Sequence, residues 1–129
     1  MDAGLVTDIK AAAKANDLYR KVLFTGPKSQ LVLMCLRPGE EIGAEVHDGD
    51  QVIYVVDGVG FVSLGGHREE IEKGSIVFVP AGVTHNVVNG ESDPLKLFTI
   101  YAPPQHAIGT VHRTKQEADY AEAVEATLT

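Results

Sequence analysis

The run Gly74-Ser75-Ile76-Val77-Phe78-Val79-Pro80-Ala81-Gly82-Val83-Thr84-His85 decides the fold. Ile76 to Val79 is short, apolar and rich in β-branched residues, as strands are. Pro80-Ala81-Gly82 breaks it, because Pro removes a backbone donor and Gly admits backbone that other residues avoid. A second segment opens at His85 and runs through Val88 to Asn89. The reading is strand, tight turn, strand, with a histidine placed where the second strand begins.

The same texture extends in both directions. Val22–Phe24, Gln30–Leu36, Gln51–Val56, Phe61–Leu64 and Leu95–Ala102 are further short apolar runs. Gly26-Pro27, Pro38-Gly39, Asp57-Gly58, Gly65-Gly66, Lys73-Gly74 and Asp93-Pro94 separate them. No helical pattern of about ten residues interrupts this series, which argues against a parallel βαβ sheet and for an all-β sandwich or barrel. Helical texture is confined to the flanks. Asp8 to Arg20 is rich in Ala and Lys, and Thr114 to Leu128 is rich in Ala and Glu, with Thr114 as N-cap and Glu117 three residues on. The expected organisation is one domain over 1–129: an N-terminal arm 1–20, a barrel core 21–103 and a C-terminal segment 104–129. A chain of 129 residues suits that reading.

Charge narrows the function classes. Asp and Glu outnumber Lys and Arg by 18 to 11, a net charge of −7 at pH 7, and no basic cluster offsets it. Such a surface repels phosphate backbones, so no nucleic-acid partner is expected. The chain shows no signal-peptide pattern and no apolar run near membrane-spanning length, so no membrane partner and a cytoplasmic location are expected. The single cysteine, Cys35, lies in an apolar run and reads as a buried, inert thiol.

A second stretch carries chemistry: Pro38-Gly39-Glu40-Glu41-Ile42-Gly43-Ala44-Glu45-Val46-His47-Asp48-Gly49-Asp50-Gln51, running on to Gly58. Glu45 and His47 are two apart, so on a strand they share a face about 6.5–7 Å apart and can converge on one ion. Asp48-Gly49-Asp50 reads as a hairpin turn that returns Gln51 beside His47.

Together the two stretches resemble the cupin superfamily. Its first motif is G-x5-H-x-H-x3-4-E-x6-G, and its second is G-x5-P-x-G-x2-H-x3-N. The first fits in spacing from Gly39 through Glu45, His47 and Gln51 to Gly58. The second fits from Gly74 through Pro80, Gly82 and His85 to Asn89. Glu45 replaces the first His of the pattern and Gln51 replaces its Glu. The resemblance, which covers Val22 to Ala102, implies a double-stranded β-helix, the jelly-roll barrel. It also implies one divalent metal ion held by Glu45, His47, Gln51 and His85. Small single-domain cupins labelled as similar to mannose-6-phosphate isomerase look alike in layout.

The two substitutions leave the ligand charge intact. Three imidazoles and one carboxylate become two imidazoles, one carboxylate and one amide, with one negative charge in either set. A divalent ion there keeps net positive charge and acts as a Lewis acid. The oxygen-rich set favours Zn, Mn, Fe or Ni over Cu(I). Isomerase or lyase chemistry on a small oxygen-rich substrate, a sugar derivative or keto acid, fits best, with Glu45 and Gln51 as catalytic candidates. Two His and one carboxylate also compose non-haem iron sites, so a dioxygenase stands as an alternative, and a non-catalytic binding protein as another. Gln51, a neutral and weak donor, is expected to tune the site rather than hold the metal.

The remaining expectations are local. Ile53 and Val55 share the inward face with Gln51, and Val87 and Asn89 share it with His85, while Tyr54 faces outward. Asp48 and Asp50 read as turn residues and His67 as surface. His106 and His112 flank Gly109, and folding over the barrel mouth is the lesser of their two readings. Open sheet edges and two long terminal segments point to a homodimer.

Overall fold

The structure is a computed structural model that describes residues 3–128. Two antiparallel sheets face each other. β1 (Arg20–Thr25), β2 (Gln30–Leu36), β3 (Asp50–Asp57), β6 (Ile76–Val79), β8 (Leu95–Ala102) and β9 (Val111–His112) form the larger one, in the order β6-β3-β8-β2-β1-β9. β4 (Val59–Leu64), β5 (His67–Glu72) and β7 (His85–Val88) form the smaller, in the order β5-β4-β7. α1 (Ile9–Ala15) and α2 (Lys115–Leu128) flank the barrel. This is the expected double-stranded β-helix with short terminal helices.

Alternation places the core. Met34, Leu36, Ile53, Val55, Val87 and Leu97 project between the sheets and are almost fully buried. Burial on this scale stabilises by about 1.5–3 kcal/mol per large apolar side chain. Ile53, Val55 and Val87 lie on the expected face. Asn89, fully buried, ties the end of its strand through Nδ2 to the carbonyls of Leu36 and Asp93. Cys35 is buried as expected, and burial pushes its thiol pKa up.

Two glycines of the motifs have backbone reasons to be glycine. Gly58 sits at φ +94°, and a β-carbon there would strike the Pro94 carbonyl. Gly82 sits at φ +83° and turns the chain between β6 and β7.

The N-terminal helix is shorter than expected. It starts at Asp8, whose side chain accepts a hydrogen bond from Ala11 N (3.1 Å), and it ends at Ala15 rather than Arg20. Asn16 stops it by folding its side chain onto Leu18, donating to that carbonyl (2.9 Å) and accepting from that amide (3.2 Å). Arg20 then opens β1, opposite Met34. α1 covers Leu33 and Val56 on the outer face, where Tyr54 stacks on Phe98 with ring centroids 5.2 Å apart. Tyr54 therefore faces outward, under the helix. β5 is an addition to the expected strands. Of its residues only Ile71 is buried, so its sequence carries almost no alternation. His67 is exposed there as expected. α2 begins one residue after Thr114, whose hydroxyl caps it by accepting from Glu117 N (3.1 Å).

Candidate metal centre

Backbone pairing builds the site. Glu45 and His85 form a reciprocal bridge, with Glu45 N donating to His85 O (2.9 Å) and His85 N to Glu45 O (3.0 Å). Directly opposed residues project to the same face, so the carboxylate and the imidazole leave the sheet together. His47 follows two residues on. Its carbonyl accepts from Gly82 N (2.9 Å), which fastens it to the Pro80-Ala81-Gly82 turn. Asp50 Oδ1 accepts from Ala81 N (3.0 Å) and fastens the same turn from the other side.

Asp48-Gly49-Asp50 does not form the expected hairpin. Glu45 pairs with β7 in the smaller sheet, whereas Gln51 lies in β3 of the larger one, opposite Val79 and Tyr101. The chain crosses between sheets here, because β3 finds its ladder partners in β6 and β8. His47 and Gln51 thus approach from different sheets. Tyr101 links them: it pairs with Gln51 in register, and its ring meets that of His47 edge-on at 5.6 Å.

Glu45, His47 and His85 lie side by side. Glu45 Oε2 lies 3.3 Å from His47 Nε2, and the His47 and His85 rings are 5.1 Å apart. His47, Gln51 and His85 are buried. His85 Nδ1 lies 3.0 Å from the Val83 carbonyl, which fixes Nδ1 as the protonated nitrogen and leaves Nε2 as the lone-pair donor. His47 Nε2 and Gln51 Oε1 are buried without a hydrogen-bond partner. Its closeness to Glu45 is therefore contact without hydrogen-bond alignment. Among the described residues no three His, Cys, Asp or Glu side chains are arranged to hold a metal ion by themselves. The fourth donor of this set is an amide.

Electrostatics favour ligation. Burial, then His85 and Arg20, hold the His47 pKa below its usual range, so the imidazole is neutral at neutral pH. The His47–Glu45 contact is then no ion pair. Burial raises the Glu45 pKa, and Arg20 opposes that rise. Buried donor atoms left without a partner are what a metal ion satisfies; His47 Nε2 and Gln51 Oε1 are two such atoms, and by chemical type the donor set suits a divalent ion.

Several residues around the donors were not expected. Tyr101 is buried, and burial raises its pKa well above the usual tyrosine range. Thr99 accepts from Gln51 Nε2 (3.0 Å). Arg20 lies inside the barrel on β1, where the sequence reading placed the end of a helix. Its alternation with inward Val22 was the available signal. His106 does fold over the mouth, edge-on to Tyr101 at 5.3 Å, and burial takes its pKa down to about 3. His112 sits further out, with Nδ1 3.1 Å from Arg20 Nη1.

Comparisons agree with this architecture. Residues 32–101 match the Cupin domain family. The chain is 43% identical over 124 residues to the uncharacterized protein YrkC of Bacillus subtilis, covering 91% of this chain and 67% of that protein. The crystal structure of BH2720 from Bacillus halodurans is 41% identical, with TM-score 0.88 over 90% of this chain and 93% of that one. TT1209 from Thermus thermophilus is 29% identical, with TM-score 0.68 over 76% of this chain and 96% of that one. With the two motifs in place on two facing sheets and the family match over more than half of its length, the chain belongs to the cupin family.

Proposed function

We propose that this cupin is a metal-dependent enzyme of isomerase or lyase type. It holds one divalent ion through Glu45, His47, Gln51 and His85 and acts on a small oxygen-rich substrate such as a sugar derivative or keto acid. The observation that carries the reading is the pair of buried, unpartnered donors His47 Nε2 and Gln51 Oε1, beside His85 already oriented by Val83. When bound, the ion supplies Lewis acidity toward a carbonyl or hydroxyl oxygen. Glu45 is the one carboxylate of the set and therefore the candidate for proton transfer. Tyr101, kept protonated by burial, is a donor rather than a base. The barrel wall around Ile53, Val55 and Val87 excludes water from the inner side of the donors.

Elemental analysis of the purified protein tests the site. About one equivalent of a divalent metal is expected in the wild type and little in His47→Ala and His85→Ala. Variants that both retain a full equivalent would overturn the ligand assignment. Screening sugars, sugar acids and keto acids with the native metal then tests the reaction class.

A further inference from the structure

Arg20 is a buried cation without an anion. Its side chain projects inward from β1, and the residue is 2% exposed. A guanidinium cannot discharge itself by losing a proton inside a protein. Burying such a charge is costly unless it is paired. Among the described residues no carboxylate lies within ion-pair distance of it. Its direct contacts are neutral: Nη1 meets His112 Nδ1 at 3.1 Å, and Cζ lies 5.3 Å from the centre of the Tyr19 ring, while Glu45 acts on it only from beyond ion-pair distance. Its Nε is buried with no partner.

The space beside it has a matching vacancy of contacts. A cavity of about 110 Å³ is bordered by Arg20, His106, Thr110, His112, Glu122 and Glu125. It has room for a group of a few heavy atoms, a single water taking about 30 Å³. His106, which borders it, also carries a buried, unpartnered Nε2. The cavity adjoins the metal centre through ring contacts, His106 on Tyr101 at 5.3 Å and Tyr101 on His47 at 5.6 Å. An unpartnered guanidinium N–H and an unpartnered imidazole nitrogen beside one fixed charge, one ring away from the candidate ligands, make an anion seat. Planar N–H pairs on a guanidinium match a carboxylate in geometry.

We infer that Arg20 and His106 form a carboxylate-binding subsite, so that the substrate is a small organic acid, a sugar acid or a hydroxy or keto acid, rather than a neutral sugar. The inference deepens the enzymatic reading above and rests on it for the word substrate; the subsite itself does not need the metal. Arg20 is the specificity-determining residue, and His106 adds a second contact at the same group. The rival arrangement is internal: Glu122 or Glu125, which border the cavity, swings in and neutralises Arg20.

The test is calorimetric titration of the full chain, as purified and after chelation, with galacturonate against galactose and lactate against lactamide. The acids are expected to bind both forms at least tenfold more tightly than their neutral partners, and Arg20→Gln to abolish that preference. Wild-type ¹⁵N NMR gives a readout that needs no variant: the Arg20 Nε–H resonance should shift with each acid and not with the neutral partner. An Nε–H that moves with no acid at millimolar concentration overturns the inference. So does an Arg20→Gln protein, folded by circular dichroism, that keeps the preference, or acid binding that appears only in Glu122→Gln. Acid binding to a wild-type protein that purifies without metal and takes up none would sink the metal reading and leave the subsite standing. A full metal equivalent with no preference for acids would do the reverse.

Discussion

Gln51 Nε2 donates to Thr99 Oγ1 at 3.0 Å, and that hydroxyl donates in turn to the Val52 carbonyl at 2.9 Å. The chain of two bonds has a direction. The Thr99 proton is committed to Val52, so its oxygen is an acceptor, and only the amide nitrogen of Gln51 can face it. The carbonyl oxygen Oε1 is thereby turned away, buried and free. A neutral residue from β8 thus sets which atom of Gln51 the site presents.

Thr99→Val should show this orientation at work. The substitution keeps the shape but removes the acceptor, leaving a buried amide with two unsatisfied protons at a cost of about 1–3 kcal/mol. The amide can then rotate and present nitrogen. Thr99→Val is expected to stay folded with a lower Tm and to bind metal about 10–100-fold more weakly, as losses of such orienting partners do. Competitive chelation measures the affinity. An unchanged affinity would mean that Gln51 orientation is irrelevant to the site.

Gln51 itself can be varied in two directions. Gln51→Ala should still purify with metal, at an affinity lowered about as far as in Thr99→Val (about 10–100-fold), while losing ligand affinity or turnover, since an amide adds no charge to the set. Gln51→Glu adds a second carboxylate to the ligands and should bind metal more tightly with a less acidic ion. It also sets a carboxylate oxygen against the acceptor side of Thr99. Metal-free Gln51→Glu should therefore melt below the wild type, and added metal should raise its Tm by more than it raises that of the wild type. Calorimetry with and without chelator reads both. A Gln51→Ala protein that purifies empty would make Gln51 a principal ligand.

The donors were legible in sequence because spacing carried them. Glu45, His47 and His85 sit at fixed offsets from glycines and a proline whose backbone demands are local, as at Gly82 with φ +83°. The strands from Ile76, His85 and Leu95 were legible because one face of each is buried and the other is not. β5 was not, since a strand with only Ile71 inside has no pattern to read. Arg20 was hidden by its neighbours: an Ala- and Lys-rich segment with no Gly or Pro looks helical until Asn16 is seen to cap it. Thr99 and Tyr101 act through contacts with residues 48 and 54 positions away in the chain, and His106 reaches the site only through Tyr101; no local rule reaches that far.

His106 predicts a pH dependence of stability. Its pKa falls from 6.5 to about 3 on folding, chiefly through burial and then through Arg20. Between those values the unfolded chain binds a proton that the folded chain refuses, so stability rises with pH across this window and is lost as pH falls from 6.5 toward 3. One such proton contributes at most about 1.4 kcal/mol per pH unit. Glu45, whose pKa rises on folding, works in the opposite sense above its ordinary value of 4.5, but it does so with or without His106. Urea denaturation at pH 7 and pH 5 should therefore show wild-type stability falling by more than that of His106→Gln. Equal slopes for the two proteins would place the His106 imidazole in water.

The outer face of the larger sheet predicts assembly. β6 is an edge strand of that sheet, and its alternation turns Ile76 and Phe78 outward, 68% and 57% exposed. Ile100 on β8 is also exposed, as are Leu5 and Val6 of the N-terminal arm. Leu5, Val6, Phe98 and Ile100 border one apolar groove of about 580 Å³, away from the polar donors. Apolar residues gathered on one face beside an unpaired edge are costly in water and favour association. A second copy related by a twofold axis presents the same residues in return, which closes the assembly at two. Light scattering at micromolar concentration is expected to give a dimer mass for the wild type. Ile76→Lys with Phe78→Lys should give a monomer that keeps its full metal equivalent, because neither side chain reaches the interior. A wild-type monomer would refute the dimer outright, and a dimer that survives both lysines would place its interface elsewhere on the chain.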